Sequence, residues 1–232
     1  MVLPIDETLK IGIQTIHREP DDQHGPWLPK IDELVEFVQL VDKSGFDSLW
    51  VGDHLSMPLP FFDPFQQLAQ AAVASRRLLL GTSVYLLPLR HPGPVAKQAI
   101  TLDHLSEGRL LFGVGIGGEF PKEYEVAGVP MNERGARLSE SIEVMRELWS
   151  GEPASYNGKF FKFSEVRMTP PPRQKNGPPI WCGGRKDVAF ERMGRLADGY
   201  VSYVVTPEMY RDALIKIEQA ANEAKRNIKN FG

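Results

Sequence analysis

Asp53 and His54 stand side by side, directly after the apolar run Leu49-Trp50-Val51 and a glycine. An imidazole can give or take a proton near neutral pH, and an adjacent carboxylate can hold a donor or a cation. The plainer alternative is a helix-capping aspartate beside a surface histidine. A second group is Gly113-Val114-Gly115-Ile116-Gly117-Gly118. It matches the dinucleotide fingerprint G-x-G-x-x-G, which needs a helix to open at the third glycine. Glu119-Phe120-Pro121 follows instead, and the next helical pattern begins only near Glu133. These glycines therefore read as a place where backbone approaches something flat at the end of a strand. A third group is Gly183-Gly184-Arg185-Lys186, which opens a helix. Two glycines can turn several N–H groups toward one point, the helix dipole adds positive potential, and two cations follow. That combination suits a phosphate. The alternative is a simple turn with solvated charges.

Other chemistries are excluded or weaker. His17, His24, His91 and His104 show no metal-ligand spacing with one another or with Cys182, so no metal site is expected. H-E-x-x-H, P-loop and G-x-S-x-G motifs are absent. Cys182, the single cysteine, lies in an apolar strand and reads as a small buried hydrophobe rather than a nucleophile. Asp103, Glu107 and Arg109 flank the start of a strand, the wrong end for catalysis, and read as an ion-pair cluster. A net charge of −3 over 232 residues points to neither nucleic acid nor an anionic membrane. Met1 to Lys10 carries no basic n-region or apolar h-region, and no apolar run approaches a membrane span. The expectation is a soluble cytoplasmic protein that acts on a small molecule.

The elements that must position these groups alternate. Strands are predicted at 10–16, 47–51, 78–87, 109–116, 180–182 and 199–205. Helical stripes lie between them: Leu34, Phe37, Val38 and Val41, then the segment opened by Asp63-Pro64, then the one opened by Pro94 and stopped at Gly108. Leu138, Ile142, Met145 and Trp149 mark a fourth helix, Lys186 to Ala197 a fifth, and Tyr210, Leu214, Ile217 and Ala221 a sixth behind Thr206-Pro207. The rhythm breaks at 151–179, an excursion rich in Gly, Pro and aromatics that reads as a hairpin and a loop. Six βα units in a row require a parallel sheet with helices outside it. Either a (β/α)8 barrel or an open doubly wound sheet fits, and in both the ligand lies at the C-terminal ends of the strands.

The order of the motifs resembles the bacterial luciferase-like oxidoreductases, (β/α)8 TIM barrels that use FMN or the deazaflavin coenzyme F420. The resemblance rests on Phe46-Asp47-Ser48-Leu49-Trp50-Val51-Gly52-Asp53-His54, Leu80-Gly81-Thr82-Ser83-Val84, Leu102 to Gly118, Glu133-Arg134-Gly135-Ala136-Arg137-Leu138 and Pro179 to Gly184, in family order across about residues 10–225. It implies a single barrel domain over 1–232, with the excursion at about 151–179 and without the last two βα units. It implies that the cofactor ring lies against a bulge with a non-prolyl cis peptide near Ser83-Val84, with Ile116 and Gly117 passing under it. Gly183 and Gly184, with Arg185, would hold the cofactor phosphate. Asp53 would contact the ring, and His54 would act near the reactive carbon, a pairing more typical of the deazaflavin branch. The family's glutamate acid aligns with Gly118, and Glu119 stands one residue later as the candidate acid.

The resemblance thus implies an oxidoreductase that moves hydride between a small organic substrate and coenzyme F420. An FMN-dependent monooxygenase is the first alternative. A non-catalytic flavin-binding protein and a barrel enzyme acting on a phosphorylated metabolite are alternatives of other classes. Six strands leave two open parallel edges. The expectation is a homodimer that covers them, or a chain that has lost its C-terminal units.

Overall fold

The structure, a computed structural model, describes residues 10–14 and 30–232. Its strands and helices alternate in the order β1 (Gly12–Gln14), α1 (Ile31–Lys43), β2 (Ser48–Val51), α2 (Pro64–Ala74), β3 (Leu79–Thr82), α3 (Pro92–Leu105), β4 (Leu110–Val114), α4 (Pro121–Ala127), α5 (Arg134–Leu148), β5 (Ala154–Asn157), β6 (Lys162–Val166), β7 (Ile180–Gly183), α6 (Asp187–Leu196), β8 (Gly199–Val201) and α7 (Pro207–Glu223). Six strands form one sheet in the order β1-β2-β3-β4-β7-β8, all parallel. A doubly wound sheet reverses its strand order part-way. Here each strand lies beside its predecessor, so the architecture is a partial barrel. Residues 15 and 16 of the predicted first strand lie outside the described residues.

The local chemistry explains the helix starts. Asp63 accepts from the N–H groups of Phe65 (3.0 Å) and Gln66 (3.2 Å), with Pro64 at the first helical position. Thr206 caps α7 through Met209 N–H at 3.3 Å. The third helix begins at Pro92 rather than Pro94, because His91 Nδ1 accepts from Gly93 N–H and acts as the cap. Helix α4 is new relative to the sequence reading. At 7 residues it is too short to show a helical period.

The sheet has two unlike faces. Outward residues Leu49, Val51, Leu80, Leu110, Phe112, Val114, Ile180 and Cys182 are at most 1% exposed beneath the helices, whereas inward-facing Leu79 is 37% exposed. On the inward face Trp50 and Trp181 lie with their ring centroids 5.6 Å apart. Glycines opposite them make the room. A methyl group at Gly81 would fall 2.1 Å from Trp50, and one at Gly199 would fall 2.6 Å from Trp181. At the far edge Gly232 donates to Asp198 O (2.9 Å) and accepts from Tyr200 N–H (3.0 Å), which lays it alongside β8.

Three expectations are corrected. The third strand does not run from Leu78 to Leu87. It stops at Thr82, and the Ser83–Val84 peptide is cis, as the resemblance implied. Leu80 pairs with Leu110 and Gly81 with Leu111, but then Tyr85 pairs with Val114, so the β3 side carries one residue more. That is a bulge, and Thr82 Oγ1 bridges it to Gly113 O at 2.6 Å. The sixth barrel strand ends at Val201, because its partner β7 turns away after Gly183 and offers no further ladder. Asp103, Glu107 and Arg109 do not form an ion cluster. Asp103 accepts from Gln174, Glu107 pairs with Arg76, and Arg109 donates to the carbonyls of Ser106, Leu78 and Ala72.

Candidate active site

The groups singled out by spacing or by the resemblance lie at the C-terminal ends of parallel strands: Asp53-His54 after β2, Ser83-Val84 after β3, the glycine run from the end of β4 onward, and Gly183-Gly184-Arg185 across the end of β7. The bulge turns the Val84 side chain toward two of the glycine segments. A methyl group at Gly115 would fall 2.4 Å from Val84 Cγ2, and one at Gly183 would fall 3.2 Å from Val84 Cγ1. Ser83, Val84, Gly115 and Gly183 are thereby brought into one contiguous surface. Ser83 O accepts from Gln14 Nε2 on β1 at 3.3 Å. Gly117 has φ +57°, and a side chain there would touch Leu86. The carbonyl of Ile116 accepts from the Tyr124 hydroxyl, which ties the glycine run to α4. Burial pushes the Tyr124 phenol up to about 12. Leu86, Leu89 and Tyr124 form a small core of their own, joined by Val84, Ala127, Val129 and Met131. This second core holds the bulge against α4.

Asp53 is buried, and its carboxylate is fully engaged. Oδ2 accepts from Leu86 N–H (2.8 Å) and Arg90 Nη1 (2.6 Å), and Oδ1 accepts from Arg90 Nη2 (2.9 Å). With its side chain 1% exposed, Asp53 locks the β2 end to the bulge segment. Burial alone lowers the pKa of Arg90, and the hydrogen bonds and charge of Asp53 more than reverse that.

His54 has one face of its chemistry anchored. Its Nδ1 lies 3.2 and 3.3 Å from the two oxygens of Glu123 on α4. Phe61 and Phe120 meet the ring edge-on, with centroids at 4.9 and 5.4 Å. Glu123 was not singled out by the sequence reading, which looked to Glu119. Glu119 is exposed and makes no hydrogen bond or ion pair among the described residues, while Phe120 and Glu123 are the neighbours that reach His54. The available signal was helical spacing. A first-turn acid two residues after Pro121 fits a proline-opened helix.

Gly184 is required by packing whether or not an anion is bound, since a methyl group there would fall 2.5 Å from Ala189 Cβ. Arg185 is exposed, with its guanidinium 5.7 Å from the Tyr203 ring. Asp187 opens α6 and pairs with Lys216 at 2.6 Å. Arg134, at the start of α5, donates from Nη1 to Met131 O at 2.6 Å, while its Nε is buried without a partner among the described residues. A methyl group at Gly118 would fall 3.3 Å from that Nε. An orphaned guanidinium N–H beside the glycine run fits an anionic, phosphate-bearing cofactor. Cys182 is buried on the outward face of β7, and burial pushes its thiol up to about 12, which leaves it inert as a nucleophile. No group of side chains among the described residues could hold a metal ion, and no described helix is long and apolar enough to cross a membrane.

A profile of the luciferase-like monooxygenase family matches residues 9–231. This chain belongs to that family. The oxygenase component of a flavin-dependent trigonelline monooxygenase from Acinetobacter baylyi is 34% identical over 162 residues, which cover 69% of this chain and 45% of the relative. An F420-dependent glucose-6-phosphate dehydrogenase from Microbacterium testaceum is 31% identical over 219 residues, covering 89% of this chain and 62% of the relative. Among solved structures, the monooxygenase RslO1 from Streptomyces bottropensis superposes with a TM-score of 0.81 at 26% identity, over 94% of this chain and 68% of that one. This luciferase-like chain thus spans about half to two thirds of these relatives' lengths. Its relatives divide between flavin and deazaflavin chemistry.

Proposed function

We propose that this luciferase-like chain forms the cofactor-binding part of an oxidoreductase that moves hydride between a small organic substrate and coenzyme F420. The observation that carries the reading is the joint surface of Ser83, Val84, Gly115 and Gly183, with His54 on the neighbouring strand end. When bound, a deazaflavin supplies the two-electron chemistry. The chain's own residues do the rest. Val84, Ile116 and Gly117 form the surface for the ring. Gly183, Gly184 and Arg185 hold the phosphate at the start of α6, and the Nε of Arg134, without a partner among the described residues, gives the anion a further donor. Asp53 acts by positioning Leu86 and the bulge, not by touching the ring. His54 handles the substrate proton, with Glu119 at the rim as the reserve acid. The segment Leu55–Phe62 that follows His54 carries no charged residue, which favours an uncharged organic substrate. A cytoplasmic homodimer is part of this reading, and the exposed Tyr203, Val204 and Met209 just beyond β8 motivate the dimer.

The second reading is an FMN-dependent monooxygenase, favoured by the likeness to the flavin-dependent trigonelline monooxygenase component at 34% identity over 162 residues. Parallel titrations with the two oxidised cofactors separate the readings. F420 is expected to bind at least tenfold more tightly, about 1.4 kcal/mol. Tighter FMN binding would move the assignment to the monooxygenase, and binding of neither would overturn both. Gly184→Asp is not a clean probe, because the new side chain would collide with Ala189. The exposed Arg185 and Lys186 are the better targets.

A further inference from the structure

We infer that Glu123 is the positioning residue for His54, and that it fixes which imidazole nitrogen carries the proton. The inference rests on the reading of His54 as the proton-handling group. Glu123 is 0% exposed, and its carboxylate has a small, closed set of partners among the described residues. Oε1 accepts from Leu55 N–H at 2.6 Å and Ser56 N–H at 3.2 Å. Both oxygens face His54 Nδ1, at 3.2 and 3.3 Å. A carboxylate only accepts, so Nδ1 must donate. The neutral ring is then the Nδ1–H tautomer, and Nε2 keeps its lone pair. Nε2 is the atom that accepts a substrate proton.

The surrounding contacts make the arrangement rigid. The backbone bonds of Glu123 clamp residues 54–56, so the same carboxylate fixes the turn and the ring it carries. Phe61 and Phe120 meet the ring edge-on and restrict its rotation about the Cβ–Cγ bond. Helix α4 is itself held by Tyr124, through Ile116 O and the small core at Leu86 and Leu89. The proton position on His54 is therefore built into the same unit that shapes the surface at Val84. A second carboxylate further from the ring, such as Glu119, could not set it.

The test is nitrogen-15 NMR of histidine-labelled protein at about pH 8, above the usual imidazole titration. The signal of His54 among five histidines is assigned by its loss in His54→Asn. The wild type is expected to show the Nδ1–H tautomer. In Glu123→Gln the amide oxygen must serve Leu55 and Ser56, which turns the amide N–H group toward Nδ1. The expected result is a switch to the Nε2–H tautomer, with kcat down by about 10²–10⁴ and KM changed far less. Glu123→Asp keeps the charge and should recover part of kcat. An Nε2–H tautomer in the wild type, or the same tautomer in both proteins, overturns the inference. If Glu123→Gln fails to fold, the wild-type tautomer still decides. Absence of cofactor binding with the expected tautomers would sink the proposed function alone, and cofactor binding with the wrong tautomers would sink this inference alone.

Discussion

At the N-terminal ends of the strands, arginines donate to backbone carbonyls. Arg109 reaches Ser106 O, Leu78 O and Ala72 O at 2.6–3.2 Å, and Arg226 reaches Ala197 O and Gly194 O at 2.7 and 3.0 Å while also pairing with Asp198. Arg77 does the same with Asp42 O and Phe46 O. At the C-terminal ends the polar groups keep unused capacity. Among the described residues, Arg134 has a buried Nε without a partner, Arg185 lies exposed, and His54 makes its side-chain hydrogen bonds through Nδ1. Arg90 is the exception at that end, because its partner Asp53 braces the bulge. The difference follows from what each end must do. One end seals helix and strand termini whose carbonyls would otherwise lack donors, and the other, on the proposed function, keeps donors for a ligand.

Four variants sharpen or break that contrast. His54→Ala should lower turnover by about 10²–10⁴ while costing under about 2 kcal/mol of stability. Wild-type turnover in a chemistry-limited assay would move the proton-handling role elsewhere. Arg109→Ala should do the reverse, costing about 2–4 kcal/mol in urea unfolding and leaving cofactor affinity unchanged. A loss below about 1 kcal/mol would mean the N-terminal end is not sealed as described.

Arg185→Glu combined with Lys186→Glu should weaken cofactor binding about 10–100-fold, or about 1.4–2.8 kcal/mol, without moving the unfolding midpoint. Both side chains are exposed, so an effect on stability instead of affinity would break the assignment. Tyr200→Phe is the control that belongs to neither end. The Tyr200 hydroxyl is buried without a partner among the described residues. Its removal should be neutral or stabilising by up to about 1 kcal/mol, and a clear loss would reveal a partner for that hydroxyl.

The alternation of strands and helices was legible because apolar period and cap residues are local properties. Asp63-Pro64, Thr206-Pro207 and Gly45 mark boundaries through bonds that span only a few residues. The strand-end location of Asp53-His54, of the glycine run and of Gly183-Gly184 followed from that alternation alone. Helix α4 was not legible, since its short length shows no period, and Glu123 was missed with it.

The sequence by itself determined the βα order, the glycine-rich strand ends and the residue types available there. Only the tertiary structure decided which groups meet. It joined His54 to Glu123 across 69 residues, gave both oxygens of Asp53 to Arg90, and left Glu119 at the surface. The physical reason is register. A side chain's partner at the mouth of a barrel depends on how neighbouring strands align and where a bulge shifts that alignment. The extra residue between Gly81 and Tyr85 is such a shift, and no periodicity in the chain encodes where it falls.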